Sequence, residues 1–373
     1  FGIPGLVLME NAGRGAFEYL IRKFKEPKTK KIAVLAGSGN NGGDGFVIAR
    51  YLMEKGIIVT IFLLSSKDKV TGDARTNLNL AKKLCDRSCN SSIFEIPDAN
   101  TFKKQKSLIL NHDLFIDAIL GTGLNSEVKG FFKDAIELIN SSPSPVFAVD
   151  IPSGLHSDTG QPLGVAVKAD ATSTFAFAKV GHILYPGNNY TGDLEIIDIG
   201  IPKFIAQEKE IKLFLIEKKD IAACFSPRKF QSHKGDYGHL QVIGGSTGKT
   251  GAVSLCANAA MRCGTGLVTL GIAKSLNPSV EPQVIEPMTY PLPDSEKGFL
   301  SDNCFEQILS LLKDKQALAL GPGIGTNDGT KKLVQSLIEK CEVPMVIDAD
   351  AINCIAKNTE VLKKKNSPAI LTP

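Results

Sequence analysis

The stretch GSGNNGGDG, from Gly37 to Gly45, places two asparagines and an aspartate among glycines. It follows the apolar run KIAVLA and precedes FVIARYLMEKG, which has the pattern of a helix. A glycine-rich turn between a strand and a helix lets backbone approach a phosphate, and this spacing fits a dinucleotide-binding fingerprint. Asn40, Asn41 and Asp44 indicate contacts beyond those of backbone amides. The alternative is an ordinary strand-to-helix turn in which Asp44 caps the helix.

The next strand tests whether the fingerprint belongs to a hydride-transfer enzyme. Such an enzyme carries an acidic residue about 20 positions on, which binds the ribose 2′-hydroxyl. The strand IIVTIFLLSS ends instead in Ser65 and Ser66, and the nearest acid, Asp68, follows Lys67. This absence argues against nicotinamide as a redox cofactor. Binding of a phosphorylated ribose by Ser66 and Lys67 stays an alternative.

Two further strand ends carry polar residues. FIDAILGTGL places Asp117 inside an apolar strand, and VFAVDIPSGL places Asp150 and Ser153 at the end of another. An aspartate in an apolar strand is costly to bury unless it is paired or bound to a cation. Carboxyl ends of neighbouring strands in an open α/β sheet converge on one crevice. We therefore predict one functional site that combines these residues with the glycine loop.

The elements that must position these residues alternate along the chain. Apolar, β-branched runs separated by helical patterns extend from KIAVLAG to DLEIIDIG, which predicts a mainly parallel sheet covered on both faces. Residues 201 to about 238 are charged and irregular, as in an interdomain connection. A second alternating series runs from HLQVIGG to PAILTP. We predict an α/β protein of two domains.

Composition excludes several classes of function. The net charge is only +4, with 43 basic against 39 acidic residues, so no strong field favours nucleic acid or an anionic membrane. No apolar run approaches the length of about 20 residues that spans a bilayer. The eight cysteines have no zinc-binding or redox spacing and suit reduced thiols. We expect a cytoplasmic protein with no nucleic-acid or membrane partner.

The first 202 residues resemble the YjeF N-terminal family of NAD(P)H-hydrate epimerases. The matching segments include GIPGLVLMENAG, GSGNNGGDGFVIARYL, DAILGTGL, VFAVDIPSGLHSDTG and ADATSTFAFAKVGHILYPG. The resemblance implies a Rossmann-like three-layer domain over residues 1–206 that interconverts the R and S hydrates of NADH and NADPH and binds potassium. The implied contacts with the hydrated dinucleotide are Asn40, Asn41, Gly42, Gly43, Asp44, Gly121, Thr122, Gly123, Leu124, Asn125, Ser126, Glu127 and Asp150.

The same resemblance implies roles at the reacting centre. Asn41, Asp117 and Ser153 would bind the potassium ion through oxygen donors, as a hard cation requires. Asp150 is our candidate catalytic residue, because a positioned carboxylate can move the proton of the substrate hydroxyl. Asp44 is the second candidate. Lys179 and His182, both in the segment FAKVGHILYPG, are weaker candidates.

Residues 207–373 resemble the ADP- or ATP-dependent NAD(P)H-hydrate dehydratases, which have a ribokinase-like fold. The matching segments are SHKGDYGHLQVIGGSTGKTGAVSLCANAAMRCGTGLVTL, LALGPGIGTNDGT and VIDADAIN. The segment GGSTGKT is too short for a phosphate-binding P-loop. The resemblance implies that Ala252 and Gly325 lie against the hydrated nicotinamide. Asp350, in the matching segment VIDADAIN, could equally be an N-cap for the helix AINCIAK.

The family pattern continues beyond ILTP with a nucleotide loop and an aspartate that acts as dehydratase base. We therefore expect a chain truncated at both ends, with an incomplete dehydratase domain that lacks its catalytic segment. Two alternatives stay open: a ribokinase-like kinase of a vitamin precursor with a nucleotide-binding domain in front, and a non-enzymatic binding scaffold. We also expect a homo-oligomer.

Overall fold

The computed structural model describes residues 2–24, 29–87, 90–202, 204–205, 213–225, 227–294 and 297–373. The chain divides into two compact units, Phe1–Phe214 and Leu215–Pro373. The domain boundary predicted between residues 206 and 207 lies outside the described residues.

Seven strands in the described part of the first unit form one parallel sheet, in the order β3-β2-β1-β4-β5-β6-β7. The strands are β1 (Lys31–Ala36), β2 (Ile58–Leu63), β3 (Ser92–Glu95), β4 (Leu114–Ala118), β5 (Val146–Val149), β6 (Ala171–Phe175) and β7 (Asp193–Ile197). The helices are α1 (Gly5–Lys23), α2 (Asn40–Glu54), α3 (Gly72–Cys85), α4 (Ala99–Leu110), α5 (Phe131–Ser141), α6 (Val180–Ile183) and α7 (Asn188–Thr191).

Helices cover both faces of this sheet, which explains why its strands are apolar at successive positions. Residues 32–36 of β1 are all buried, and so are residues 114–118 of β4. One core cluster joins the sheet to α1, α2 and α3, and a second cluster joins the opposite face to α4 and α5. The predicted three-layer α/β class is confirmed.

The strand order reverses between β1 and β4, since the chain builds β2 and β3 on one side before crossing to β4. The loops that follow β1 and β4 therefore begin side by side and lead to helices on opposite faces of the sheet. Open α/β sheets bind ligands in the crevice at this point. The Gly37 amide donates a hydrogen bond to the Ala118 carbonyl (2.9 Å). A Cβ at Gly37 would lie 2.1 Å from the Ile119 carbonyl oxygen, so only glycine allows this approach.

In the second unit, six described strands form another parallel sheet, in the order β10-β9-β8-β11-β12-β13. The strands are β8 (His239–Ile243), β9 (Leu267–Ala273), β10 (Met288–Leu292), β11 (Ala317–Leu320), β12 (Met345–Asp348) and β13 (Ala369–Thr372). The helices are α8 (Lys218–Ala222), α9 (Thr250–Arg262), α10 (Asn277–Val280), α11 (Phe305–Leu312), α12 (Asp328–Lys340) and α13 (Asp350–Ile355). This order reverses between β8 and β11.

Two strands are not among those predicted from the sequence, β3 and β10. Both are edge strands, since each pairs with a single neighbour. The segment SIFE of β3 is only four residues long, and Pro291 interrupts the donor pattern of β10. Of the helices that the structure describes, none combines the length and apolar composition needed to cross a membrane.

Candidate functional site

A cavity of about 540 Å³ lies at the carboxyl ends of β1, β4 and β5 in the first unit. Its walls come from three segments that are far apart in the sequence. The lining residues are Gly37, Ser38, Gly39, Asn40, Asn41, Asp44, Ile119, Leu120, Gly121, Thr122, Gly123, Leu124, Phe132 and Asp150. The volume suits a small-molecule ligand.

Several residues with a predicted substrate contact do not line this cavity. Gly42 and Gly43 lie within the buried first turns of α2: a Cβ at Gly42 would be 2.0 Å from the Gly37 carbonyl oxygen, and one at Gly43 would be 2.6 Å from the Met9 methyl carbon. Their small size brings α2 close to the β1 loop and to α1. Residues 125–127 are exposed beyond the lining residues. Their contact with a ligand stays a prediction.

The three predicted potassium ligands surround the loop that follows β4. The Ser153 hydroxyl donates to the Asp117 carboxylate (2.5 Å), and the Ser153 amide donates to its second oxygen (2.7 Å). The Leu120 amide donates to Ser153 Oγ (2.9 Å), while the Asn41 side-chain amide donates to the Leu120 carbonyl (3.1 Å). The side chains of Asn41, Asp117 and Ser153 therefore belong to one network.

Two groups of this network are in unusual electrostatic environments. Asp117 is fully buried, and this burial raises its pKa to about 6 against the opposing effect of the Ser153 and Ile119 hydrogen bonds. The Asn41 Oδ1 atom is buried without a hydrogen-bond partner. Buried polar atoms in folded proteins are nearly always paired, so this oxygen can accept a hydrogen bond or coordinate a cation.

Asp150 lies at the cavity wall just after β5, in a left-handed backbone conformation with φ of 65°. This conformation is uncommon outside glycine and is held by the hydrogen bond from the Asp150 amide to the Ser173 carbonyl (2.7 Å). Its Oδ1 atom accepts hydrogen bonds from Lys179 Nζ (2.5 Å) and Thr174 Oγ1 (3.2 Å). The Asp150 side chain is 15% exposed, so a ligand in the cavity can reach it.

A second carboxyl group, Asp44, lines the same cavity. Burial raises its pKa well above the ordinary value, the charge of Asp150 adds to this effect, and that of Lys179 opposes it. The alternative in which Asp44 caps α2 is wrong, because the helix begins at Asn40 with Gly39 as its N-cap. The geometry instead directs Asp44 into the site.

His182 is buried close to Lys179 and Asp150, and its imidazole is neutral. Burial, and then the Lys179 charge, lower its pKa to about 4, although Asp150 acts in the opposite direction. Its Nδ1 atom accepts a hydrogen bond from the Lys179 amide (3.1 Å). The remaining proton of a neutral imidazole therefore lies on Nε2.

In the second unit, the loops after β8 and β11 also meet at the point where the strand order reverses. The Gly245 amide donates to the Pro322 carbonyl (2.8 Å), and Ser246 Oγ donates to the Gly323 carbonyl (2.7 Å). A Cβ at Gly323 would lie 3.2 Å from the Ala252 Cβ. Ala252 is exposed near the start of α9 and therefore lies beside the loop that contains both Gly323 and Gly325.

Asp350 connects the elements of this second cluster. Its Oδ2 atom accepts hydrogen bonds from the Gly325 amide (3.0 Å) and from Lys249 Nζ (2.7 Å). The interpretation of Asp350 as a helix cap is wrong, because the N-cap residue of α13 is Ala349. Its carboxylate instead holds the glycine loop against the start of α9.

Several residues of the first site were not predicted from the sequence, among them Ile119, Leu120, Phe132 and Thr174. Phe132, at the start of α5, lines the cavity, and Thr174 contacts both Asp150 and Lys179. The signal for Thr174 was the polar triplet TST inside the otherwise apolar strand β6. The sequence holds no such signal for Phe132, since an aromatic residue on a helix usually belongs to the hydrophobic core.

An open parallel sheet with a cavity where its strand order reverses defines a ligand-binding α/β protein. Comparison with known families identifies the family within this class. Residues 5–181 match the model described as YjeF-related protein N-terminus, and residues 240–373 match that described as NAD(P)H-hydrate dehydratase. The chain belongs to the family of bifunctional NAD(P)H-hydrate repair enzymes.

Curated relatives carry this family assignment. The bifunctional NAD(P)H-hydrate repair enzyme of Moorella thermoacetica is 37% identical over 372 residues, which are 100% of this chain and 69% of the relative. That of Thermofilum pendens is 34% identical over 373 residues, again 100% and 69%. A crystal structure of the Bacillus subtilis ADP/ATP-dependent NAD(P)H-hydrate dehydratase is 27% identical, covers 42% of this chain and 51% of its own, and has a TM-score of 0.34. The assignment does not rest on that structural likeness.

The match of residues 240–373 corrects one expectation from the sequence. We expected the dehydratase catalytic segment to be absent, whereas the dehydratase family model matches the second unit from β8 to Pro373. The glycine loops at residues 244–248 and 321–325 lie inside this match.

Proposed function

We propose that the first unit interconverts the R and S epimers of hydrated NADH and NADPH, and that the second dehydrates the S epimer with ADP or ATP. One observation carries the proposal for the first unit: polar side chains from three strand ends converge on a single cavity at the reversal point of the sheet. Membership of the repair family supports the substrate class.

The loop after β1 is suited to the phosphate groups of a dinucleotide. Gly39 is the N-cap of α2, and Asn40 and Asn41 are its first residues. The first amides of a helix have no partner within it and form the positive end of its dipole. The loop at residues 121–124 forms the facing wall. We assign the phosphates to the helix start and the hydrated ring to the part of the cavity next to Asp150.

The chemistry requires only proton transfer and reversible bond breaking. The hydroxyl-bearing carbon of the hydrated ring is also bonded to nitrogen. When a base removes the hydroxyl proton, a carbonyl forms as the C–N bond breaks, and its electron pair passes to nitrogen, which takes up a proton from an acid. Rotation and the reverse steps close the ring on the other face, so atoms and electrons balance. We assign the base to Asp150.

The residues Asn41, Asp117 and Ser153 fit a potassium ion. All three supply oxygen donors, and the partnerless Asn41 Oδ1 needs a group to complete it. A single carboxylate offers one negative charge, which suits a monovalent cation. Among the described residues, no group of three or more His, Cys, Asp or Glu side chains could hold a metal ion, which disfavours a transition metal. Bound there, potassium would supply a positive charge beside the cavity.

In the second unit, we assign the hydrated nicotinamide to the cluster around Ala252 and Gly325. The loops there are held together by Ser246 and Asp350, so backbone amides are fixed in position for a ligand. The adenine-nucleotide requirement is proposed from the resemblance of residues 207–373 to the ADP- or ATP-dependent NAD(P)H-hydrate dehydratases. The homo-oligomer and the cytoplasmic location also stay predictions, which light scattering and cell fractionation would test.

The test uses stereochemically pure R-NADPHX. With this chain and potassium chloride, chromatography should detect S-NADPHX well before the same amount forms in buffer alone. Adding ATP or ADP should then restore the absorbance of NADPH if the second unit is active. Conversion at the uncatalysed rate would remove the epimerase assignment, whatever the second unit does.

A further inference from the structure

Lys179 makes three hydrogen bonds behind Asp150, a residue that lines the first cavity, and its sequence position did not suggest them. Its Nζ atom donates to Asp150 Oδ1 (2.5 Å), to Thr174 Oγ1 (2.7 Å) and to the Phe175 carbonyl (3.4 Å). The Lys179 side chain is 22% exposed, which is low for a lysine. Each of the three N–H groups of the ammonium therefore has an acceptor, and one of these acceptors is the candidate base, Asp150.

The backbone around Lys179 is fixed by close contacts between glycines and a neighbouring loop. The Gly181 amide donates to the Ser157 carbonyl (2.6 Å), and a Cβ at Gly181 would lie 2.4 Å from the His156 carbonyl oxygen. A Cβ at Gly187 would be 1.9 Å from the Gly181 oxygen. Lys179 precedes α6 directly, so this packing sets where its side chain begins.

The charged and titratable groups near Asp150 come from three elements. Lys179 and His182 approach from the α6 segment, and Asp44 approaches from α2. Asp117 on β4 is bound to Ser153 instead. Because His182 is neutral, Lys179 is the cation in this described group that balances the two carboxyl groups of the cavity.

We propose that Lys179 is a positioning residue that divides the acid and base roles between the two carboxyl groups. Its ammonium binds the Asp150 carboxylate and keeps it as the base, which leaves Asp44 to carry the proton as the acid. The inference rests on the epimerase activity proposed above. Two carboxyl groups in one cavity do not both ionise readily, and a cation bound to one of them decides which does.

The burial of Asp44 supports this division. Burial and the charge of Asp150 raise the pKa of Asp44 well above its ordinary value, so Asp44 keeps a proton under conditions where free carboxyl groups have lost theirs. In the ring-opening step Asp150 takes the hydroxyl proton, while Asp44 gives its proton to the ring nitrogen. Ring closure on the other face returns both protons, and the enzyme ends unchanged.

The experiment compares the pH dependence of kcat/KM for epimerisation in the wild type and in Lys179→Met, Lys179→Gln and Lys179→Arg. Without the ammonium, the Asp150 carboxylate loses its bound cation and no longer differs from Asp44 in this respect, so the acidic limb of the profile should move to higher pH. The rate at neutral pH should fall by about 10-fold to 100-fold. Lys179→Arg keeps the charge and should restore the wild-type position of the limb.

Lys168→Met is the matched control, because Lys168 is an exposed lysine, whereas Lys179 donates a hydrogen bond to the Asp150 carboxylate. Its profile should equal that of the wild type. An acidic limb that stays in place in a folded Lys179→Met or Lys179→Gln variant would overturn the role of Lys179, even if the rate falls. An inactive wild type would instead overturn the proposed epimerase function. Thermal unfolding by circular dichroism identifies which variants are folded.

Discussion

Replacing Gly37 by alanine tests the packing that brings the β1 and β4 loops together. The new Cβ would lie 2.1 Å from the Ile119 carbonyl oxygen, far inside the ordinary contact distance of 3.4 Å or more. Both atoms belong to the backbone or are attached to it, so no side-chain rotation can relieve the clash. The loops must separate, which also weakens the hydrogen bond from the Gly37 amide to the Ala118 carbonyl.

The expected cost follows from these two effects. Overpacking costs about 1–3 kcal/mol, and a lost backbone hydrogen bond adds about 1 kcal/mol, so unfolding should become easier by roughly 2–4 kcal/mol. For a unit of this size, each kcal/mol lowers Tm by about 2–4 °C. Thermal unfolding followed by circular dichroism should therefore give a decrease in Tm of about 4–16 °C.

Gly39→Ala is the matched control, two residues away on the same loop. A Cβ there has nothing within 4 Å, and the φ of −91° is open to alanine. The change removes a favoured N-cap residue, so we expect a decrease of no more than about 1 kcal/mol. If Gly37→Ala is as stable as Gly39→Ala, the close approach of the two loops is not needed, and the account of this crevice is wrong.

Two further predictions concern the residues of the cavity. Asp150→Asn should lower the epimerisation rate by about 10²-fold to 10⁴-fold through loss of the base, whereas Asp158→Asn, on an exposed part of the same segment, should leave it unchanged; equal kinetics for both variants would remove Asp150 from catalysis. Asn41→Leu should abolish both the rate increase and the rise in Tm that potassium chloride gives over sodium chloride, whereas Asn40→Ala should keep both; a potassium response that survives in Asn41→Leu would contradict the ion site.

The fold could be predicted where a strand forms a continuous apolar run. Central strands such as β1 and β4 are buried on both faces, and a continuous apolar run records this directly. The strands β3 and β10 were missed because β3 has only four residues and Pro291 interrupts β10, whereas the edge strands β7 and β13 were recognised from their apolar runs. The two capping interpretations were wrong: Asp44 and Asp350 have typical capping side chains, but Asp44 lines the cavity and Asp350 binds Lys249 and the Gly325 amide.

The site was predictable to the extent that polar residues stand out in apolar strands. Asp117 and Asp150 were visible for that reason, and the convergence of strand ends predicts that they approach the glycine loop. The contact between Lys179 and Asp150 was not visible, because it spans 29 positions and depends on the left-handed backbone of Asp150. Such a contact follows from packing between loops, which no local pattern encodes.

A crystal structure of this chain soaked with hydrated NADPH and potassium chloride would test the central claim most directly. The account predicts density for the dinucleotide in the cavity between residues 37–44 and 121–124, with its hydroxyl-bearing carbon next to Asp150. An ion should lie against Asn41, Asp117 and Ser153. A dinucleotide bound to the first unit outside this cavity, or a cavity left empty at saturating ligand, would contradict it.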